Sequence, residues 1–414
     1  MNESTFLQEL DRYAEVIVRV GLNLQPGQRL LVRSDIQSAP LVRAAARAAY
    51  AAGSPFVDVI WSDEHLALVR VQSAPRDSFG EHARWAPAAA VDYLNSGAAL
   101  LSIYAATPTL MNGQDPEALS AMMRTNATAN RPVSELVQRN ASAWAVVAYP
   151  TPGWATQVFP DLPVETAVAR LWQAIATTCR LDAADPVLAW QQHVRALNAR
   201  ADYMNSRRYQ ALHFRGPGTD LRVGLADGHL WAGGDSTSER GQPFVANLPT
   251  EEIFTLPHRI RVEGFVRATR PLNYGGTLIE GFSLAFEGGR ATKSEAETGA
   301  AVLQRLLATD EGAAHLGEVA LVPDSSPVGR TGLLFANTLF DENAACHLAL
   351  GNGYRFCVRG GAALSQEEFT AAGGNSSATH VDFMIGSASL DVDGIAPDGG
   401  VEPVLRGGEW AFAV

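Results

Sequence analysis

The chain has 414 residues, 47% hydrophobic and 18% charged, a globular composition that excludes extended disorder. Its formal net charge of −12 argues against nucleic acid as a partner, and no apolar run approaches the ~20 residues needed to span a bilayer. The length exceeds one ordinary core and predicts two domains.

The first stretch, MNESTFLQELDRYAEVIVRV, carries Glu3, Glu9 and Asp11 and has no basic segment ahead of an apolar one. It reads as a helix of the mature protein, and a cytoplasmic location is the default expectation. RLLVRSD (29–35) is a short apolar strand, SAPLVRAAARAAYAAG (38–53) an alanine-rich helix closed by Gly53, and PFVDVIWSD (55–63) the next strand. That β-α-β unit implies parallel neighbours, and AALLSIYAA (98–106) and AWAVVAYP (143–150) are placed in the same sheet. No GxGxxG follows any of these strands. The only lysine, Lys293, sits in ATKSEAETG without the glycines of a phosphate loop. The first half therefore reads as an α/β scaffold without a nucleotide.

DPVLAWQQHVRALNARADYMNSRR (185–208) has apolar residues at Val187, Leu188, Trp190, Val194, Leu197 and Ala201, close to the helical period, with Pro186 at its first position. It is taken as the connector, ending an α/β N-terminal domain over 1–205. Residues 206–414 form the second domain, an α+β unit built mainly on antiparallel strands. LHFRGPGTDLRVGL (212–225) is a hairpin signal, and short strands with glycine-rich turns recur in HRIRVEGFVRA, GTLIEGFSLAFEGGRAT, SLDVDGI and GGEWAFAV. One helix is predicted over SEAETGAAVLQRLLATD (294–310), with Ser294 and Glu297 as a capping box. Cys179, Cys346 and Cys357 include no CxxC pair and read as buried thiols.

The chemistry gathers in this second half. In HVDFMIG (380–386), His380 and Asp382 lie two apart in an apolar strand and so share a face, which calls for a hydrogen-bonded pair or a metal ion. ANLPTEEIFTLPH holds Glu251 and Glu252, either of which also suits a solvated turn. LGEVALVP holds Glu318 as its lone charge, on a strand too apolar for a wet face. FDENAACHLALGNGYRF holds Glu342, His347 and Tyr354, the last ordinarily a core aromatic. Together, nitrogen and oxygen donors without thiolate suit zinc, cobalt, manganese or iron, and spacing leaves open whether the site holds one ion or two.

Five ordered blocks, GPGTDLRVGL, FVANLPTEEIFTLPH, LGEVALVP, LFDENAACHLALG and HVDFMIG, resemble the aminopeptidase T and aminopeptidase S type of metallopeptidases. The resemblance is densest over 212–414, and the β-α-β start suits the family's N-terminal domain. It implies Glu252, Glu318, Glu342, His347, His380 and Asp382 as metal ligands, with Glu318 touching both of two divalent ions and acting in catalysis beside Tyr354. It also implies zinc, cobalt or a similar ion such as manganese, a peptide substrate with a free N-terminus, and a homodimer enclosing its active sites. Hydroxide between the two ions would attack the first peptide carbonyl. Two other readings stay open. His347, His380 and Asp382 could form a two-histidine, one-carboxylate face for the ferrous iron of a dioxygenase. Alternatively, the site holds metal or peptide without turnover.

Overall fold

In the computed structural model, which describes residues 3–274 and 277–414, the β-α-β reading of the N-terminal half holds. Strand β1 (Leu30–Asp35) leads into the helix Ala39–Ala51, which buries Leu41, Val42, Ala44, Ala45 and Ala49 along one stripe. Gly53 ends the turn with φ +91°, a left-handed conformation that favours glycine. Strand β2 (Val57–Ser62) then pairs parallel with β1. Strands β3 (Ala99–Tyr104) and β4 (Trp144–Ala148) complete a four-stranded parallel sheet in the order β2-β1-β3-β4. The chain divides into two compact units, Met1–Gln192 with Asp235–Pro249, and His193–Gly234 with Thr250–Val414.

The predicted helix over 185–208 is present as Pro186–Arg207. In the second unit its Leu197, Ala201 and Met204 join a core shared by two antiparallel sheets. The larger sheet has eight strands and includes the predicted hairpin, Ala211–Gly216 against Thr219–Leu225. The smaller has five, in the order β9-β8-β7-β6-β5: β5 (Ala232–Gly233), β6 (Ile253–Thr255), β7 (Leu316–Leu321), β8 (His347–Gly351) and β9 (His380–Met384). One face of this sheet presents Ile253, Val319, Leu321, Leu348, Leu350 and Phe383 to the core. By the strand period of two, the other face takes the intervening residues.

The helix predicted over 294–310 needs correction. It spans only Ala300–Leu307, and Gly299 precedes it with φ +76°. Ser294 belongs instead to the strand Arg290–Glu295, where it pairs with Leu284. The sheet ladder has displaced the capping box, a tertiary override of a local signal. Gly276, first residue of the predicted segment GTLIEGFSLAFEGGRAT, lies outside the described residues. Among the described residues, no helix is long and apolar enough to cross a membrane. Cys179, Cys346 and Cys357 are buried thiols, none of them in a disulfide.

Candidate metal centre

Strand register brings Glu318, His347, His380 and Asp382 onto the face of the five-stranded sheet opposite the core. Residues directly opposed on antiparallel strands share a face. Glu318 stands opposite Ala349, and Ala349 opposite Asp382, so one row runs Glu318–Ala349–Asp382 across β7, β8 and β9. The adjacent rows set Phe254 and Ala320 beside His347, and Gly351 beside His380. The floor beneath the polar side chains is therefore built of Ala320, Ala349 and Gly351. Small residues there leave room between the charged groups.

Glu318 reaches this face through a β-bulge. Leu316 pairs with Leu350 on the core face, whereas Glu318 pairs with Ala349 on the other, so one extra residue, Gly317, intervenes. The core residues of β7 are accordingly Leu316, Val319 and Leu321, a spacing of three and then two. A bulge of this kind re-aims the side chain that follows it. A Cβ on Gly317 would lie 2.3 Å from the Asn352 carbonyl oxygen, so only glycine fits.

Two triads of possible ligand atoms result: Glu252, Glu318 and His347, and Glu318, His380 and Asp382. Within the first, His347 Nε2 lies 3.0 Å from Glu252 Oε2 and 3.5 Å from Glu318 Oε1. Within the second, His380 Nε2 lies 3.3 Å from Asp382 Oδ1 and 3.9 Å from Glu318 Oε2. Glu318 is common to both and offers one oxygen to each side. The two histidines fall in different triads, which does not favour the iron-binding face expected as an alternative.

Each imidazole is oriented from behind. His347 Nδ1 is 3.2 Å from the Ala345 carbonyl and His380 Nδ1 is 2.8 Å from the Asn352 carbonyl. Donation from Nδ1 turns Nε2 towards the carboxylates, the arrangement usual for a metal-ligating histidine. Glu342 stands outside both triads, on the turn Glu342–Ala344. It is nevertheless near enough to Glu252 and Asp382 to feel their charge. Tyr354 lays its ring 5.0 Å from that of His380.

The electrostatics of the cluster show a shortage of positive charge. Burial pushes Glu318 up to about 7; His347 and His380 pull it down, while Glu252 and Asp382 add to the rise. Burial, then Glu252 and Asp382, hold Glu342 well above the carboxylate range. Burial alone would lower His380, but Asp382 and Glu318 override it and raise the imidazole to about 10. His347 is likewise raised by Glu252 and Glu318 against its burial. Protons are held wherever a cation would serve. Glu252 Oε2 and Asp382 Oδ1 are buried with no hydrogen-bond partner, although each is close to an Nε2. Oxygen and nitrogen approach without the alignment of a hydrogen bond. Donors that converge in this way fit a divalent cation.

Both members of the Glu251–Glu252 pair are buried, which excludes the alternative of a solvated turn. Glu251 Oε2 lies 3.4 Å from His193 Nε2, so Glu252 alone enters the cluster. The sequence reading also missed the residues that brace the ligand-bearing loops. Asn343, fully buried, accepts a 2.7 Å hydrogen bond from the Glu251 N–H through Oδ1 and donates through Nδ2 to the Leu339 carbonyl. It follows Glu342 in the chain, and Glu251 precedes Glu252, so one amide ties the two segments. Asp341 accepts from the Phe335 and Asn337 N–H groups, and burial raises its pKa to about 6. The cue in the sequence was FDENA itself, an acid and an amide flanking the lone candidate, Glu342.

A parallel-sheet unit joined to an antiparallel one that carries a buried carboxylate–imidazole cluster defines a two-unit protein equipped to hold divalent metal. The family model described as thermophilic metalloprotease (M29) matches residues 6–410, and the chain belongs to that family. Curated relatives include aminopeptidase T of Thermus thermophilus, 47% identical over 98% of this chain and 99% of its own length. Aminopeptidase 2 of Geobacillus stearothermophilus is 46% identical over 98% of both chains. Aminopeptidase AmpS of Bacillus subtilis is 42% identical over 99% of this chain and 100% of its own. The solved structure described as wild-type AmpT from Thermus thermophilus superposes with a TM-score of 0.93 at 46% identity, covering 98% of this chain and 100% of that one.

Proposed function

We propose that this protein is a metal-dependent aminopeptidase that hydrolyses the N-terminal residue from peptides with a free amino end. The observation that carries this reading is Glu318, buried at the junction of two triads, with a second buried carboxylate and an imidazole converging on either side. Family membership and the aminopeptidase names of the relatives point the same way. Glu252, Glu318, Glu342, His347, His380 and Asp382 are the residues that would hold the metal. Four carboxylates and two neutral imidazoles carry four negative charges, which two divalent cations offset. The donor set suits zinc, cobalt or manganese. When bound, such ions supply Lewis acidity at a peptide carbonyl and lower the pKa of water.

The chain's own residues supply the rest. Glu318 is placed to take and return protons as general base and acid. Tyr354 keeps its hydroxyl proton because burial, followed by the charges of Glu318 and Asp382, drives its pKa far up. A protonated phenol beside the cluster is a donor for a developing oxyanion. Contact of the substrate's amino group with a carboxylate of the cluster, or with the metal these residues would hold, would select the amino end. All these residues belong to the second half of the chain, the proposed catalytic domain of 206–414, with 1–205 as its α/β companion. A cytoplasmic homodimer completes the reading, supported by the resemblance to the aminopeptidase T and S type.

The test combines metal content with hydrolysis of paired unblocked and N-acetylated dipeptides. Expected are about two zinc-like ions per chain, cleavage of the unblocked members only, and loss of activity with a chelator. Full activity after complete metal removal, or equal cleavage of acetylated peptides, contradicts the proposal. The Asn343 brace gives a separate expectation. Asn343→Ala leaves the Glu251 N–H without its buried partner, a loss of about 1–3 kcal/mol. It should also weaken metal retention roughly 10-fold or more, as supporting residues around metal ligands typically do. Thermal unfolding in chelator reads the first effect and equilibrium dialysis of metal the second.

A further inference from the structure

A cavity of about 390 Å³ lies beyond the ends of the ligand-bearing strands, and none of the metal-cluster residues lines it. Its volume is that of a small-molecule pocket. Asp324 enters it three residues after β7, and Ser387 three residues after β9. Leu333 and Leu334 come from the segment that leads to Glu342, and Arg270 and Pro271 from beyond the strand Pro257–Arg267. Arg270 donates to the Leu333 carbonyl at 3.2 Å and to the Gly329 carbonyl at 3.4 Å. The guanidinium keeps further N–H donors for a ligand. Asp324 is exposed, and among the described residues neither Arg270 nor Asp324 forms an ion pair, with each other or with a third group. Two unpaired charges of opposite sign in one small cavity match a ligand that carries both signs. The cavity also adjoins the residues that support the cluster. Arg270 is near enough to oppose the burial that raises Asp341, the residue before Glu342. Burial raises the Cys346 thiol to about 11, and Asp324 is near enough to add to that rise; Cys346 precedes His347.

We infer that this cavity binds a free amino acid with an apolar side chain, and that its occupancy slows turnover at the metal centre. The ligand's carboxylate meets Arg270, its ammonium group meets Asp324, and its side chain packs on Pro271, Leu333 and Leu334. A guanidinium suits a carboxylate because it can offer two parallel hydrogen bonds. A dicarboxylate would set a like charge against Asp324, and a simple amine would leave Arg270 without an anion. The inference rests on the aminopeptidase reading, in which a free amino acid is the product. A carboxylate on Arg270 competes with the Gly329 and Leu333 carbonyls for the same N–H groups. Those carbonyls belong to the segment whose far end carries Asp341 and Glu342, so the change reaches a proposed metal ligand. Binding here does not occupy the place of the substrate. It therefore lowers kcat, whereas an amino acid held at the cluster itself raises KM.

The experiment titrates free leucine into the metal-loaded protein by calorimetry, for wild type and Asp324→Asn. Asp324 is exposed and the amide is nearly isosteric, so the variant keeps its fold. The wild type should show a leucine site that Asp324→Asn weakens about 10-fold or more, the worth of a hydrogen bond to a charged group. N-Acetylleucine, which lacks the ammonium group, and leucinamide, which lacks the carboxylate, should leave that site empty. In hydrolysis of alanyl p-nitroanilide, leucine should lower kcat and raise KM of the wild type but only raise KM of Asp324→Asn, whose kcat without leucine is unchanged. Leucine binding that Asp324→Asn leaves intact overturns the site. So does filling of the site by N-acetylleucine or leucinamide as readily as by leucine. A wild-type kcat that saturating leucine does not change overturns the control of turnover. A wild type that hydrolyses no anilide yet binds leucine through Asp324 keeps the site and removes the peptidase reading.

Discussion

Glu318→Gln should lower kcat/KM on aminoacyl anilides by on the order of 10³-fold, within the range for removal of a positioned acid–base group, while the fold persists. The two side chains are nearly isosteric, so no cavity opens beneath β7. What changes is charge and basicity at the one residue that both triads share. The carboxylate of Glu318 lies 3.5 Å from one imidazole nitrogen and 3.9 Å from the other through separate oxygens. An amide offers only one oxygen and cannot take a proton. Stability should move the opposite way from activity. Without cations, an ionised Glu318 stands buried among Glu252, Asp382 and Glu342, and its raised pKa records that cost. The neutral amide relieves it, so the thermal midpoint in chelator should not fall. Near-normal turnover by this variant would refute the assigned mechanism. A large drop in midpoint would show instead that the carboxylate stabilises the fold.

Much of this arrangement was legible from local pattern. The pairing of His380 with Asp382 follows from the two-residue period of a strand, and the apolar run around Glu318 marked it as a charge that belonged inside. The β-α-β start and the hairpin at Pro217–Gly218 were equally plain. Strand order was not legible, because pairing is a long-range choice: Glu318, Ala349 and Asp382 form one row although 64 residues separate the first from the last. Local ambiguity hid the rest. Glu251 and Glu252 read alike in sequence, and only tertiary contacts, His193 for the first and His347 for the second, tell them apart. Ser294 and Glu297 made a convincing cap until a neighbouring strand claimed Ser294. Tyr354 reaches His380 from a glycine-rich loop where periodicity says nothing.

The bulge at Gly317 is where sequence and site depend on each other most tightly, and Gly317→Ala should show it. Regular alternation along LGEVAL would put Leu316 and Glu318 on one face. Leu316 is wholly buried in the shared core, so a regular strand would drive the Glu318 carboxylate into Leu348 and Leu350 or expel Leu316 from it. The extra residue removes the conflict. Its position allows no side chain: a Cβ would approach the Asn352 and Gly351 carbonyl oxygens at 2.3 and 2.4 Å, both backbone atoms that cannot swing aside. Asn352 also supplies the carbonyl that orients His380, and Gly351 is the register partner of His380. A methyl at 317 therefore pushes on both sides of the second triad at once. Overpacking of this kind costs about 1–3 kcal/mol of stability. Displacement of the reacting groups by about 1 Å costs roughly 10²-fold in rate. Gly317→Ala should thus lose on the order of 10²-fold in kcat/KM, and its metal affinity should fall with it. Gly332→Ala serves as a control, since nothing lies within 4 Å of the added atom although its φ is +65°. That variant should lose some stability and keep its metal. Full activity and metal content in Gly317→Ala would mean that Glu318 reaches its place without the bulge, and that the register of β7 is not what presents it.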